Sequence, residues 1–195
     1  MIDISTEAAP DALRKIEPWD NAYRTLLSGC AFWERHASSK VQPHNEWAFA
    51  VQTRTNANRL RELNRFMAVV LDDIALHHGG PHHDHRYFLR QRNVARKLLV
   101  VERMIDVDCA AHAHLLAIGR ISACLTYCSG VMYDPRLNGD VALITGRKLW
   151  DDTGHSDKWL RLESHAVTAI CRFYRALATA LISGAAAENR NGLNN

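Results

Sequence analysis

A helical pattern of apolar residues runs through residues 46–76, EWAFAVQTRTNANRLRELNRFMAVVLDDIAL. These apolar positions recur every three or four residues, the spacing that places side chains on one face of an α-helix. Asn45 can cap the start of this helix, and Gly79 and Gly80 are typical of its C-terminal end. Because residues 52–59 are polar, we expect the helix to be exposed there or interrupted.

The same spacing predicts helices on both sides of this segment. It occurs in residues 10–16, 20–36, 82–129 and 157–183. The third of these is too long for one typical helix, so we expect a break near residues 106–108.

The stretch with the weakest helical pattern is 131–157, which holds Pro135, Gly139, Gly146 and Gly154. It predicts an irregular loop, in which residues 141–145 form an apolar run that could be a short strand. The sequence as a whole therefore predicts an all-α, single-domain helical bundle of about five to seven helices. We expect this domain to cover residues 1–183, followed by a flexible polar tail over 184–195.

Composition supports a soluble globular protein of one domain. The 195 residues are 47% apolar and 23% charged, with a net charge of +3, which excludes disordered, collagen-like and coiled-coil compositions. No uninterrupted apolar run approaches about 18 residues and no signal-peptide pattern is present, so we expect no membrane contact. The five cysteines form no CxxC pair, which predicts buried thiols and a cytoplasmic location.

Positive charge is concentrated between residues 54 and 103. This segment holds 10 basic and five acidic residues, a net charge of +5, whereas the rest of the chain carries −2. Helical spacing places the basic residues in rows, which would suit a nucleic-acid phosphate backbone, DNA or RNA. The alternatives are an acidic protein surface as partner or a solvated helix face. The candidate binding residues are Arg54, Arg61, Arg65, Arg86, Arg90, Arg92, Arg96 and Lys97.

Histidines cluster in residues 77–85, which read HHGGPHHDH. A tight turn at Gly79 and Gly80 would bring imidazoles together, and carboxylates commonly complete such metal sites. The alternative is a solvated turn, in which the helix dipole favours histidine near the C-terminus. The candidate ligands of a divalent metal are Asp73, His77, His83 and His85.

A second candidate site lies near the start of the last predicted helix, where Arg161 and His165 are four residues apart and can share a face. Helical ribonucleases of the HEPN class carry an arginine and a histidine there, with more residues between them. Because the spacing differs, we infer no family membership and retain the pair as candidate catalytic residues. The alternative is a surface arginine beside a partly buried histidine.

Three functions of different classes follow from these patterns. The first is a non-enzymatic helical module or assembly subunit that binds nucleic-acid backbone through the basic segment 54–103. The second is a metal-dependent helical hydrolase or nuclease that uses the turn at 77–85. The third is a helical module that binds an acidic protein partner.

Overall fold

A computed structural model describes residues 19–37, 46–78, 85–147 and 159–192, apart from the side chains of residues 85–87 and 189–192. The all-α prediction is confirmed, because these residues form seven helices. The predicted helix over residues 10–16 lies outside the described part of the chain. The helices are α1 (Asp20–Ala37), α2 (Glu46–His78), α3 (His85–Arg90), α4 (Val94–Met104), α5 (His112–Tyr127), α6 (Arg136–Thr145) and α7 (Ser164–Gly192).

Helix α2 is the centre of the bundle and packs against α1, α4, α5 and α7. It is continuous over 33 residues, and its apolar stripe faces inward. Burial of each large aliphatic side chain stabilises the fold by about 1.5–3 kcal/mol. The fully buried members of the stripe include Leu60, Leu63, Met67, Val70, Leu71 and Ile74.

The polar middle of α2 is not interrupted, and it is exposed in part. Gln52, Arg54 and Asn58 are exposed as expected, whereas two other polar residues are not. Thr53 and Asn56 are buried, and Nε1 of Trp33 donates a hydrogen bond of 3.3 Å to Oδ1 of Asn56. Gly130 approaches closely enough that a Cβ there would lie 3.3 Å from Cγ2 of Thr53. Because partners from other elements satisfy or cover these polar side chains, the helix continues through them.

The long segment 82–129 divides into three helices. The predicted break near residues 106–108 is confirmed, since α4 ends at Met104 and α5 begins at His112. A second interruption at residues 91–93 was not predicted. There Oδ1 of Asn93 accepts a hydrogen bond of 3.1 Å from the backbone N–H of Arg96, which caps the start of α4.

The segment predicted as an irregular loop contains helix α6. Residues 141–145, which could have been a strand, form the C-terminal half of this helix. Gly146, with a φ of 70°, ends it in the left-handed conformation that glycine adopts without strain. An apolar run of this length is compatible with a buried helix or a strand, and packing against α5 and α7 selects the helix.

Helix α7 begins and ends later than the sequence predicts. It starts at Ser164, not near residue 157, and it continues to Gly192. Ala185 is fully buried, so the expected boundary of a polar tail at residue 184 falls inside a packed helix. The small residues near this end allow close packing, although the polar composition of residues 184–195 predicts a tail.

One stretch of α7, Ser164–Glu188, is long and apolar enough to span a membrane by length and composition alone. In this structure α7 packs against α1, α2 and α6, as the core helix of a bundle does. The absence of membrane contact stays a prediction. The side chains of α7 buried in the core include Val167, Ile170, Cys171, Tyr174, Leu177 and Leu181.

Gly184 lies where α7 meets the connection between α4 and α5. A Cβ at this position would lie 2.5 Å from Cγ2 of Val107, so Gly184→Ala forces the two segments apart. The clash should cost about 1–3 kcal/mol, against the ~1 kcal/mol that alanine gains as a helix former. We therefore expect the free energy of unfolding to fall by up to about 2 kcal/mol. Urea denaturation measures this change.

The matched control is Gly119→Ala in α5. Gly119 is also helical, but a Cβ there would have no neighbour within 4 Å. This variant should be stabilised by up to about 1 kcal/mol. If Gly184→Ala were stabilised as much as Gly119→Ala, the close packing of α7 on Val107 would be disproved.

Candidate functional site

Three arginines form a row on the exposed face of α2. Arg54, Arg61 and Arg65 are all exposed, and their spacing of seven and four residues places them on one face as predicted. At 1.5 Å of rise per residue the row is about 16 Å long. Arg61 donates a hydrogen bond of 3.2 Å from Nη2 to Oδ1 of Asn58. None of the three pairs with a carboxylate within the described part of the chain.

Helix α4 lies beside the C-terminal end of the same face of α2. Asp72, seven residues after Arg65, continues that face and forms an ion pair with Lys97 of α4. The outer side of α4 carries its own arginines, so the two predicted rows are on neighbouring helices. The exposed arginines of this second row and of the residues before α4 are Arg90, Arg92, Arg96 and Arg103.

Lys97 is not part of this surface, and its prediction as a nucleic-acid contact is wrong. Its side chain is 3% exposed, binds Asp72 and lies with Nζ 5.1 Å from the centre of the Phe88 ring. Burial raises the pKa of Asp72, and the hydrogen bond from Lys97 opposes that rise. The predicted row through Arg90 and Lys97 assumed one continuous helix. The interruption at residues 91–93 rotates α4 so that Lys97 faces inward. The side chain of the remaining member, Arg86, lies outside the described residues.

The histidine turn is described only in part. His77 and His78 pack against Trp19, with ring centres 5.2 Å and 5.7 Å away, and Nδ1 of His78 lies 3.3 Å from Oε2 of Glu188. The helix end thus has a clear structural role. Burial raises the pKa of the candidate ligand Asp73.

A metal site in this turn stays a prediction. Among the residues that the structure describes, no group of three or more His, Cys, Asp or Glu side chains is placed to hold a metal. His83 lies outside those residues, and only the backbone of His85 is described.

Arg161 and His165 both line a cleft of about 880 Å³. This cleft lies between the end of α1, the first turns of α2 and the chain that leads into α7. Arg161 precedes α7, so the predicted pairing of the two side chains on one helix face is wrong. The cleft nevertheless brings both to one cavity, together with Trp47, Phe49 and Arg59.

Residues 159–163 are extended, and their side chains alternate between the core and solvent. Leu160 and Leu162 are buried, whereas Trp159, Arg161 and Glu163 are exposed. The backbone N–H of Leu160 donates a hydrogen bond of 2.7 Å to the carbonyl oxygen of Gly130, which anchors the segment. Because successive side chains of an extended segment lie on opposite sides, Arg161 lies on the side opposite the two buried leucines and faces the cleft.

The cleft carries two arginines and one carboxylate. The guanidinium of Arg59 lies 5.5 Å from the centre of the Phe32 ring, and that of Arg161 lies 5.3 Å from the centre of the Phe49 ring. Burial lowers the pKa of Arg59, because desolvation disfavours its charge. The carboxylate belongs to Glu163, whose Oε2 lies 3.4 Å from Nδ1 of His165. The cleft is therefore net positive when its histidines are neutral.

Comparison of the chain with protein-family models, with curated proteins and with solved structures gives no match.

The sequence reasoning missed Trp47 and Arg59 as site residues. Trp47 was assigned to the apolar face of α2, yet it is 76% exposed and lines the cleft. Arg59 was counted only in the total charge of the basic segment. A signal was available for Arg161, since the alternation Trp159–Leu160–Arg161–Leu162–Glu163 is typical of an extended segment. No comparable signal marks Trp47, because its exposure depends on which elements pack beside the first turns of α2.

Proposed function

We propose that this protein binds the phosphate backbone of nucleic acid, as a non-enzymatic module or an assembly subunit. The contact region is the basic surface, defined as six of the exposed arginines of α2, α3, α4 and the residues between α3 and α4: Arg54, Arg61, Arg65, Arg90, Arg92 and Arg96.

The observation that carries the proposal is that these six exposed arginines lie on neighbouring helices without carboxylate partners among the described residues. Two less exposed arginines form ion pairs within the fold instead. Arg120 holds Asp140 through two hydrogen bonds of 2.6 and 2.7 Å, and Arg175 binds Glu34 in the same two-pronged way. These two arginines are matched with carboxylates. Within the described residues, the arginines of the basic surface share the lack of such a partner with Arg147 and Arg172, but they differ from those two in being grouped on neighbouring helices.

The chemistry of the surface favours phosphate. The guanidinium group presents a planar fork of donors that matches phosphate oxygens, and each neutralised phosphate releases condensed counterions. The segment 54–103 has a net charge of +5 against −2 for the rest of the chain, so positive charge that attracts polyanions is concentrated on these neighbouring helices. Between Arg54 and Arg103, the exposed large apolar side chains that the structure describes include Val69 and Leu99, and none of them is aromatic. We therefore expect contact with backbone and little recognition of base sequence.

The salt dependence of binding tests this function. Fluorescence anisotropy with labelled single-stranded DNA, double-stranded DNA and single-stranded RNA should show binding at 50 mM salt. With four to six phosphate contacts, the slope of log Kobs against log[salt] should be about −3 to −5. The affinity should then fall about 60- to 1000-fold between 50 and 200 mM salt. Absence of binding at 50 mM, or an affinity that salt does not change, would overturn the proposal and favour an acidic protein as the partner.

A further inference from the structure

The cleft at the first turns of α2 is a separate feature from the basic surface. Its volume of about 880 Å³ is within the ordinary range of ligand pockets, roughly 300–1,000 Å³. It lies beside Arg54, because Val51, three residues before Arg54, and Thr55, the next residue, both line it. The row of arginines on α2 therefore leads to the mouth of the cleft.

The two arginines of the cleft lack carboxylate partners within the described residues. Arg59 is partly buried, and its guanidinium lies over the ring of Phe32. Cζ of Arg161 lies 5.3 Å from the centre of the Phe49 ring, and its guanidinium makes no hydrogen bond to another described residue. A partly desolvated cation without an anion is costly, so a bound anion would stabilise this arrangement.

The cleft also presents an aromatic surface. Trp47 lines the cleft and is 76% exposed, although a large aromatic side chain is usually well buried in a soluble protein. Phe49 is fixed by an edge-to-face contact with Trp159, the two ring centres being 5.2 Å apart. A planar ring stacked on an exposed tryptophan gains about 1–3 kcal/mol in complexes with nucleic-acid bases.

We propose that this cleft binds one nucleotide unit, with its phosphate held by Arg59 and Arg161 and its base stacked on Trp47. The unit could be a free nucleoside monophosphate or the phosphorylated end of a strand. The free form is independent of the proposed function, whereas the strand-end form rests on it, since the rest of the strand would follow the arginines of α2.

Titration calorimetry with adenosine 5′-monophosphate, adenosine and inorganic phosphate tests the site. The monophosphate should bind at least tenfold more tightly than either fragment, because it uses both the arginines and Trp47. Trp47→Ala and Arg161→Gln should each weaken its binding at least tenfold. Both side chains are exposed, so these variants should fold, which circular dichroism checks.

The matched controls are Tyr133→Ala and Arg147→Gln, which remove an exposed aromatic ring and an exposed cation that do not line the cleft. Both should bind the monophosphate as the unchanged protein does. The proposal is overturned if neither the monophosphate nor phosphate binds at millimolar concentration. It is also overturned if Trp47→Ala and Arg161→Gln bind as tightly as the controls.

Competition distinguishes the two sources of the nucleotide unit. An oligonucleotide with a 5′-phosphate that displaces the monophosphate more effectively than its 5′-hydroxyl counterpart identifies a strand end as the occupant. Displacement by neither oligonucleotide identifies the free monophosphate. Arg61→Glu/Arg65→Glu separates the two proposals, because it should weaken strand binding on α2 about 100-fold and leave monophosphate binding unchanged.

Discussion

Lys97→Met is expected to lower the free energy of unfolding by about 2–4 kcal/mol at neutral pH. The substitution leaves the carboxylate of Asp72 partly buried without its cation, and breaking a buried ion pair from one side typically costs about 3–5 kcal/mol. We expect a smaller loss than this typical cost because the side chain of Asp72 is 22% exposed. Chemical denaturation at several pH values measures the loss.

The loss should be smaller in acid than at neutral pH. Burial already raises the pKa of Asp72 in the folded protein, and removal of Lys97 takes away the hydrogen bond and charge that oppose this rise. The folded variant therefore holds the Asp72 proton more tightly than the unfolded chain does. Its stability is greatest where Asp72 is protonated and falls as pH rises through the pKa of the folded state.

Two further variants isolate the ion pair. Asp72→Asn in the Lys97→Met background removes the unpaired charge and should recover more than half of the loss. Arg96→Met changes the neighbouring exposed cation and should alter stability by no more than about 0.5 kcal/mol. A Lys97→Met protein as stable as Arg96→Met would show that the buried pair contributes nothing.

Arg61→Glu/Arg65→Glu is expected to weaken nucleic-acid binding about 100-fold near 0.1 M salt. The two side chains lie one turn apart on the exposed face of α2, so the change removes two phosphate contacts and adds repulsion at the centre of the basic surface. The slope of log Kobs against log[salt] should become less steep by about 2. Anisotropy titrations over a salt series measure both quantities.

The control for net charge is Arg147→Glu/Arg172→Glu. Arg147 follows α6 and Arg172 lies on α7, and both are exposed. This variant changes the total charge by the same amount but leaves the basic surface intact. It should lose only a few-fold in affinity and keep the original slope. Equal losses in the two double variants would mean that binding depends on overall charge and not on this surface.

Local periodicity determined much of this fold. The spacing of apolar residues predicted α1 and α2 close to their observed limits and the division between α4 and α5, because a helical stripe is a property of neighbouring residues alone. It also predicted that Arg54, Arg61 and Arg65 share one face of α2. Their exposure follows because the opposite side of that helix carries the apolar stripe.

Tertiary packing decided the burial of Lys97 and the formation of the cleft, which the periodicity of the sequence does not predict. Lys97 lies inside because three non-helical residues before α4 change the rotation of that helix, and Asp72 then receives its cation. The cleft depends on two contacts between residues that are far apart in the chain. Arg161 lies against the ring of Phe49, and a hydrogen bond holds Leu160 at Gly130. Such contacts depend on how separate elements meet in space, which the spacing of residues within one element does not encode.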